Sequence, residues 1–205
     1  NSQKILSIQF ASDSELQIIG ENAFSNSSVE SISIPASLIE LKQGWCVNTP
    51  QLNYITVMPN NLYFKSYNNQ FLLKKSTLEK ENYDVLDFSI YTIETAIIPD
   101  FIEIIGSHSF ENRSELHKIN FTSNSKLRII EENAFAKSSI ESITIPSGLI
   151  EIKEGWCANT QNLTNIMVME NNPYFKLYDN KFLLKKSSVE KENYDILVIS
   201  RRDIE

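Results

Sequence analysis

Ile18-Ile19-Gly20-Glu21-Asn22-Ala23-Phe24 returns later in the chain as Ile129-Ile130-Glu131-Glu132-Asn133-Ala134-Phe135. The offset is 111 residues (Ile129 against Ile18), and it holds in both directions from this string. Ile119 falls on Ile8 and Phe121 on Phe10. Gly155-Trp156-Cys157 falls on Gly44-Trp45-Cys46, and Asn193-Tyr194-Asp195 on Asn82-Tyr83-Asp84. No gap is needed anywhere. Self-similarity at a fixed period is the signature of a repeat architecture. The match therefore predicts one solenoid domain, residues 1–205, duplicated internally over about 5–94 and 116–205.

A finer repeat lies inside each half. Its form is apolar-x-x-Ile-x-apolar, as in Ile5-Ile8-Phe10, Val29-Ile32-Ile34, Leu52-Ile55-Val57 and Ile93-Ala96-Ile98. Leu116-Ile119-Phe121, Ile140-Ile143-Ile145 and Leu163-Ile166-Val168 complete the set. Alternating apolar residues have strand periodicity, with every second side chain pointing inward. A strand of three or four residues cannot bury its apolar face alone, whereas a stack of them can. Pro35, Pro99 and Pro146 follow three of these strands and end them, because proline has no ladder donor. The spacing in the low twenties predicts an α/β leucine-rich repeat horseshoe of short parallel strands with little helix. Residues 59–91 interrupt the rhythm, and 170–202 repeat the interruption. Each predicts an inserted, projecting β-hairpin: Phe71-Leu72-Leu73 against Val85-Leu86-Asp87-Phe88, joined by a charged link from Lys74 to Asp84.

The repeat string resembles the BspA-type leucine-rich repeats, found in bacterial surface antigens and in surface proteins of protists such as Trichomonas. Ile98-Pro99, Ile102, Ile105-Gly106 and Phe110 follow the family string, with Ser109 in its alanine slot. Ile19-Gly20 and Ala23-Phe24 carry its second half, and Asn171-Asn172-Pro173-Tyr174-Phe175 resembles the family's interrupted repeat. Trp45-Cys46 and Trp156-Cys157 depart from it. The resemblance implies a non-enzymatic surface adhesin or antigen, at the cell surface or secreted, that binds a host or matrix protein or a glycan. A cytoplasmic interaction scaffold built from the same repeats is the alternative.

Composition narrows the function further. Apolar residues make up 41% of the chain, enough to build a core, while the net charge is -7. A phosphate-binding surface is basic, so nucleic acid is excluded as the expected partner. No stretch is apolar enough for direct membrane insertion. Two cysteines and two histidines do not supply the roughly four clustered ligands of a zinc site, and no glycine-rich phosphate loop occurs. No metal or cofactor is therefore expected. Cys46 and Cys157 occupy equivalent slots four rungs apart and are expected as buried thiols, since a disulfide needs Cα atoms within about 7 Å.

The candidate ligand face consists of the strand residues that point away from the core. Tyr54, Thr56, Ile97, Lys118, Asn120, Thr144, Asn165 and Met167 form the expected concave site. Asn26, Asn112, Asn120 and Asn162 begin Asn-x-Ser/Thr strings that accept N-glycans in a secreted protein. The aromatic sets Tyr63, Phe64, Tyr67, Phe71 and Tyr174, Phe175, Tyr178, Phe182 are read first as anchors of the insertions. His108, between Ser107 and Ser109, lacks the rest of a catalytic triad and is read as a turn residue. Ile204 aligns with Ile93, the first anchor of a rung. The expectation is a longer repeat array, with self-association through open solenoid ends.

Overall fold

The computed structural model describes residues 5–200. Ile204 lies outside them. The chain winds as a β-solenoid of about seven turns. In the first half the strands are β1 (Ser7–Ile8), β2 (Ile18–Ile19), β3 (Ser31–Ile34), β4 (Glu40–Leu41), β5 (Tyr54–Val57), β6 (Phe64–Tyr67), β7 (Phe71–Lys74) and β8 (Val85–Ser89). In the second they are β9 (Thr95–Ile98), β10 (Ile104–Ile105), β11 (Lys118–Phe121), β12 (Ile129–Ile130), β13 (Ser142–Ile145), β14 (Glu151–Ile152), β15 (Asn165–Val168), β16 (Phe175–Tyr178), β17 (Phe182–Lys185) and β18 (Ile196–Ser200).

The four-residue strands form the main ladder. It is cut into two parallel sheets, β1-β3-β5 and β15-β13-β11-β9. The two-residue strands form a second ladder, β2-β4 and then β14-β12-β10-β8, which continues into β7 and β6. Inward residues such as Ile32, Ile34, Ala96, Ile98, Ile143 and Ile145 are buried, as the alternating pattern requires.

The sequence leads one to expect some helix on the return path of each turn. Among the described residues there is none, and the α/β label gives way to an all-β solenoid. Tight turns replace the helices, and asparagine makes them possible. Turn 21–26 has left-handed residues at Asn22 and Asn26, turn 43–48 at Gly44 and Asn48, and turn 107–112 at His108 and Asn112. Turns 132–137 and 154–159 repeat this with Asn133 and Lys137, and with Gly155 and Asn159. Asparagine tolerates this region better than other residues with a Cβ, because its short side chain bonds locally. Successive turns then bond to one another. Phe24 N donates to Trp45 O at 2.7 Å, Phe110 N to Ala134 O at 2.8 Å and Phe135 N to Trp156 O at 2.7 Å.

The interruptions also differ from the expected projecting hairpins. The strands 71–74 and 85–89 do pair antiparallel, with Leu72 opposite Phe88. A third strand, β6, pairs with β7 on its other side. The product is a three-stranded meander, and it does not project. Its last strand enters the second ladder, Val85 pairing with Ile104 and Leu86 with Ile105 in parallel. One meander face (Phe64, Leu72, Phe88) joins the core of the first half. The other (Phe71, Leu73, Leu86) joins the core of the second. β16-β17-β18 is a second meander of the same form.

A single asparagine fastens each meander to the solenoid. Asn61 Nδ2 donates to Pro35 O at 2.7 Å and Leu38 O at 3.0 Å, and its Oδ1 accepts from Tyr63 N and Phe64 N at 2.8 Å. Asn172 makes the same four bonds to Pro146, Leu149, Tyr174 and Phe175. The charged link is ordered as well. Ser76 N and Oγ donate to the Asp84 carboxylate, and Ser187 does the same to Asp195. A bond from Lys191, with those from Ser187, holds the Asp195 carboxyl far below the usual range.

Candidate functional site

Alternation within each strand decides which residues face out. In β9 the pattern places Ala96 and Ile98 in the core and turns Thr95 and Ile97 to solvent. In β15 it buries Ile166 and exposes Asn165 and Met167. Thr95 stands beside Lys118, Ile97 beside Asn120, Ser142 beside Asn165 and Thr144 beside Met167. Six of the eight candidate residues thus share the β9-β11-β13-β15 sheet: Ile97, Lys118, Asn120, Thr144, Asn165 and Met167. Tyr54 and Thr56 do not join them. They lie on β5, at the end of the separate β1-β3-β5 sheet, beside Ser31 and Ser33. The candidate residues are therefore divided between two sheets.

The outward surface of the longer sheet is small and polar apart from Ile97, 63% exposed, and Met167, 48% exposed. At one end it runs into an open groove between β15 and the second meander. There Asn165 and Met167 meet Lys176, Leu177, Asn180 and Tyr194. The groove residues from the meander were missed by sequence reasoning, since nothing local in 176–194 indicates that it folds back against β15.

The repeat string agrees with a family profile. Residues 1–85 and 86–193 match the BspA type leucine rich repeat region, with six copies. The chain belongs to this family.

Solved structures of other leucine-rich repeat proteins share the fold. A leucine-rich repeat protein from Eubacterium ventriosum superposes with a TM-score of 0.63 at 23% identity, over 78% of this chain and 42% of that one. A leucine rich cell surface protein from Faecalibacterium prausnitzii gives 0.55 at 17% identity, over 91% and 53%. The pneumococcal vaccine antigen PcpA gives 0.50 at 22% identity, over 90% and 45%. The chain spans about half the length of these proteins or less. No curated protein sequence matches it significantly.

In this BspA-type solenoid the other singled-out residues have definite places. Phe64, Phe71 and Phe175 are buried, and Tyr67 packs edge-on against Phe101 at 5.8 Å, so these aromatics pin the meanders. Tyr178 is 59% exposed. Asn26 and Asn162 are exposed, whereas Asn112 and Asn120 are half-buried. Cys46 and Cys157 are buried thiols rather than halves of a disulfide. His108 fills a left-handed turn slot that asparagine or glycine holds elsewhere. Its Nδ1 is 2.5 Å from Glu111 Oε2. Burial works against the Glu111 charge, but bonds from His108 and Lys137 outweigh it and hold the carboxyl below its usual range. The imidazole thus lies against the Glu111 carboxylate on one side, and its Nε2 is 3.1 Å from Gln43 Nε2 on the other. Among the described residues no cluster of acids, histidines and cysteines is placed to hold a metal ion, and no helix is long and apolar enough to cross a membrane.

Proposed function

We propose that this chain is a non-enzymatic binding module displayed at a cell surface or secreted, and that it recognises a protein partner, of a host or its matrix, through the outer face of β9-β11-β13-β15 and the adjoining groove. The exposed pair Ile97 and Met167, set in a polar column on a rigid ladder, carries the reading. Protein interfaces concentrate their energy in a few apolar anchors surrounded by polar contacts, and this sheet has that composition. A glycan ligand would instead use the groove, where Tyr194 offers a ring beside Asn165 and Asn180. Repeats of this family generally serve interaction rather than catalysis, and two of the structural neighbours are described as a cell surface protein and a vaccine antigen. The two halves act as one unit because the first meander belongs to the core on both of its sides.

Arrays of extracellular-matrix proteins, host-surface proteins and glycans, probed with the purified chain, test this directly. The expected result is capture by a protein target, weakened at least ten-fold in an Ile97→Lys, Met167→Lys double variant with an unchanged melting temperature. Undiminished capture by that variant overturns the assignment of the face. Antibody labelling of intact cells tests the location, and labelling only after permeabilisation sinks it.

A further inference from the structure

The second ladder has a break that the main function does not use. Among the described residues β4 pairs only with β2, and β8 pairs with β10 on the far side of the meander. Between them the turn beginning at Gln43 faces the turn beginning at Ser107, and a cavity of about 350 Å³ opens there. That volume lies within the range of small-molecule pockets. Trp45, Val85, Phe88 and Ile104 supply apolar walls, and Gln43 and His108 meet across the two rims.

The charges around this cavity do not cancel. Among the lining residues Lys74 Nζ pairs with Asp87 Oδ1 at 2.6 Å, Glu131 Oε2 with Lys153 Nζ at 3.2 Å and Lys42 Nζ with Glu40 Oε1 at 2.6 Å. Arg113 is different. It is 1% exposed and still lines the cavity. Its guanidinium donates to the Ser89 and Glu111 carbonyls and to the Ser89 hydroxyl, and lies 3.8 Å from the Tyr91 ring centre. Among the described residues no carboxylate forms a salt bridge with it. Guanidinium keeps its proton in proteins, and a buried charge without a counter-ion is costly. Burial accordingly depresses the Arg113 pKa.

We infer that the junction cavity binds a small organic anion with an apolar body, such as an aryl or branched-chain carboxylate. The body lies in the cavity against Val85 and Ile104, with the packed Trp45–Phe88 ring pair as a further wall, and the carboxylate supplies the counter-charge that Arg113 lacks. The Gln43–His108 contact closes the mouth over it. Cys46 lines the same cavity and gives a chemical readout that Cys157, the buried thiol of the other half, controls internally.

The test uses the intact chain with 3-phenylpropionate, its neutral amide and isovalerate. Calorimetry measures binding, and iodoacetamide labelling at alkaline pH measures access to each thiol. The carboxylates are expected to bind at least ten-fold more tightly than the amide and to slow labelling of Cys46 but not of Cys157. Ser107→Trp, which plugs the rim from outside the core, is expected to abolish binding with the melting temperature retained. Arg113→Met, if it folds, is expected to remove the preference for acid over amide. Equal binding of acid and amide, no binding of any of the three at millimolar concentration, or binding unaffected by Ser107→Trp each overturns the proposal.

Discussion

The two meanders are nearly the same sequence in two different surroundings. In β6-β7-β8 both faces are covered: Leu72 and Phe88 pack on Trp45 and its neighbours, while Phe71 and Leu86 pack under the rung that follows. In β16-β17-β18 the face toward the preceding rungs is covered by the same chemistry, with Phe175 and Leu183 buried. The other face is open. Leu86 is 0% exposed and its counterpart Leu197 is 59% exposed; Val85 is 4% exposed and Ile196 is 40%. Burial in a solenoid is thus a property of the neighbouring rung as much as of the residue.

The sharpest break of this comparison is a pair of truncations. Leu86→Ala removes a fully buried side chain between two packed layers and should cost about 3 kcal/mol. Leu197→Ala should cost less than about 1 kcal/mol, because most of that side chain never leaves water. Urea unfolding of both variants measures the difference, and equal losses would show that the second meander is covered in solution.

A second pair is expected to behave alike. Asn61→Ala and Asn172→Ala each strip two carbonyls and two amides of their partners. Each should destabilise by about 2 to 3 kcal/mol, the scale for buried groups left unsatisfied. This clamp faces the preceding rung in both copies, so the open end is irrelevant to it. A large inequality between the two would refute the equivalence of the clamps.

Glycine contrasts follow the same rule at smaller scale. A Cβ on Gly106 would stand 2.8 Å from Leu86 O, the carbonyl that Gly106 N itself bonds, whereas a Cβ on Gly20 meets nothing within 4 Å. Gly106→Ala should therefore lower stability by about 1 to 2 kcal/mol, as forced overpacking does. Gly20→Ala should be neutral or slightly stabilising through the unfolded chain. Thermal melts of the two variants decide this.

The smallest effect is a pH dependence in the rung that covers the first meander. The Glu111 carboxyl has a depressed folded-state pKa, so its contribution is present above the ordinary carboxylate range and is lost as pH falls through the folded value. The urea midpoint should drop below about pH 4, and Glu111→Gln should flatten that part of the profile. An unchanged profile in this variant would remove Glu111 from the pH response.

The sequence made the repeats legible because they depend on near-neighbour alternation. Ile32 and Ile34, or Ala96 and Ile98, point inward wherever a short strand is stacked, and no distant information is needed to say so. The family string from Ile98 to Phe110 was equally plain. The helix expectation failed for a local reason that was visible but unread: asparagine at 22, 26, 48, 112, 133 and 159 marks left-handed turns. The meander was read only in part. The strands at 71–74 and 85–89 carry strong apolar runs, but β6 is half polar, and its pairing depends on the Asn61 clamp rather than on its own pattern.

By itself the sequence determined the rungs and the duplication, since each rests on side-chain type at a fixed spacing. Only the tertiary structure decided that the first meander joins both cores, that Tyr54 and Thr56 part from the other candidate residues, and that Arg113, Cys46 and His108 meet at one cavity. The reason is physical. Residues such as Gln43 and His108, 65 positions apart in the chain, come together because β8 takes the ladder position beside β10 and leaves the edge of β4 unpaired. That choice is made by the packing of whole layers and is written in no single segment.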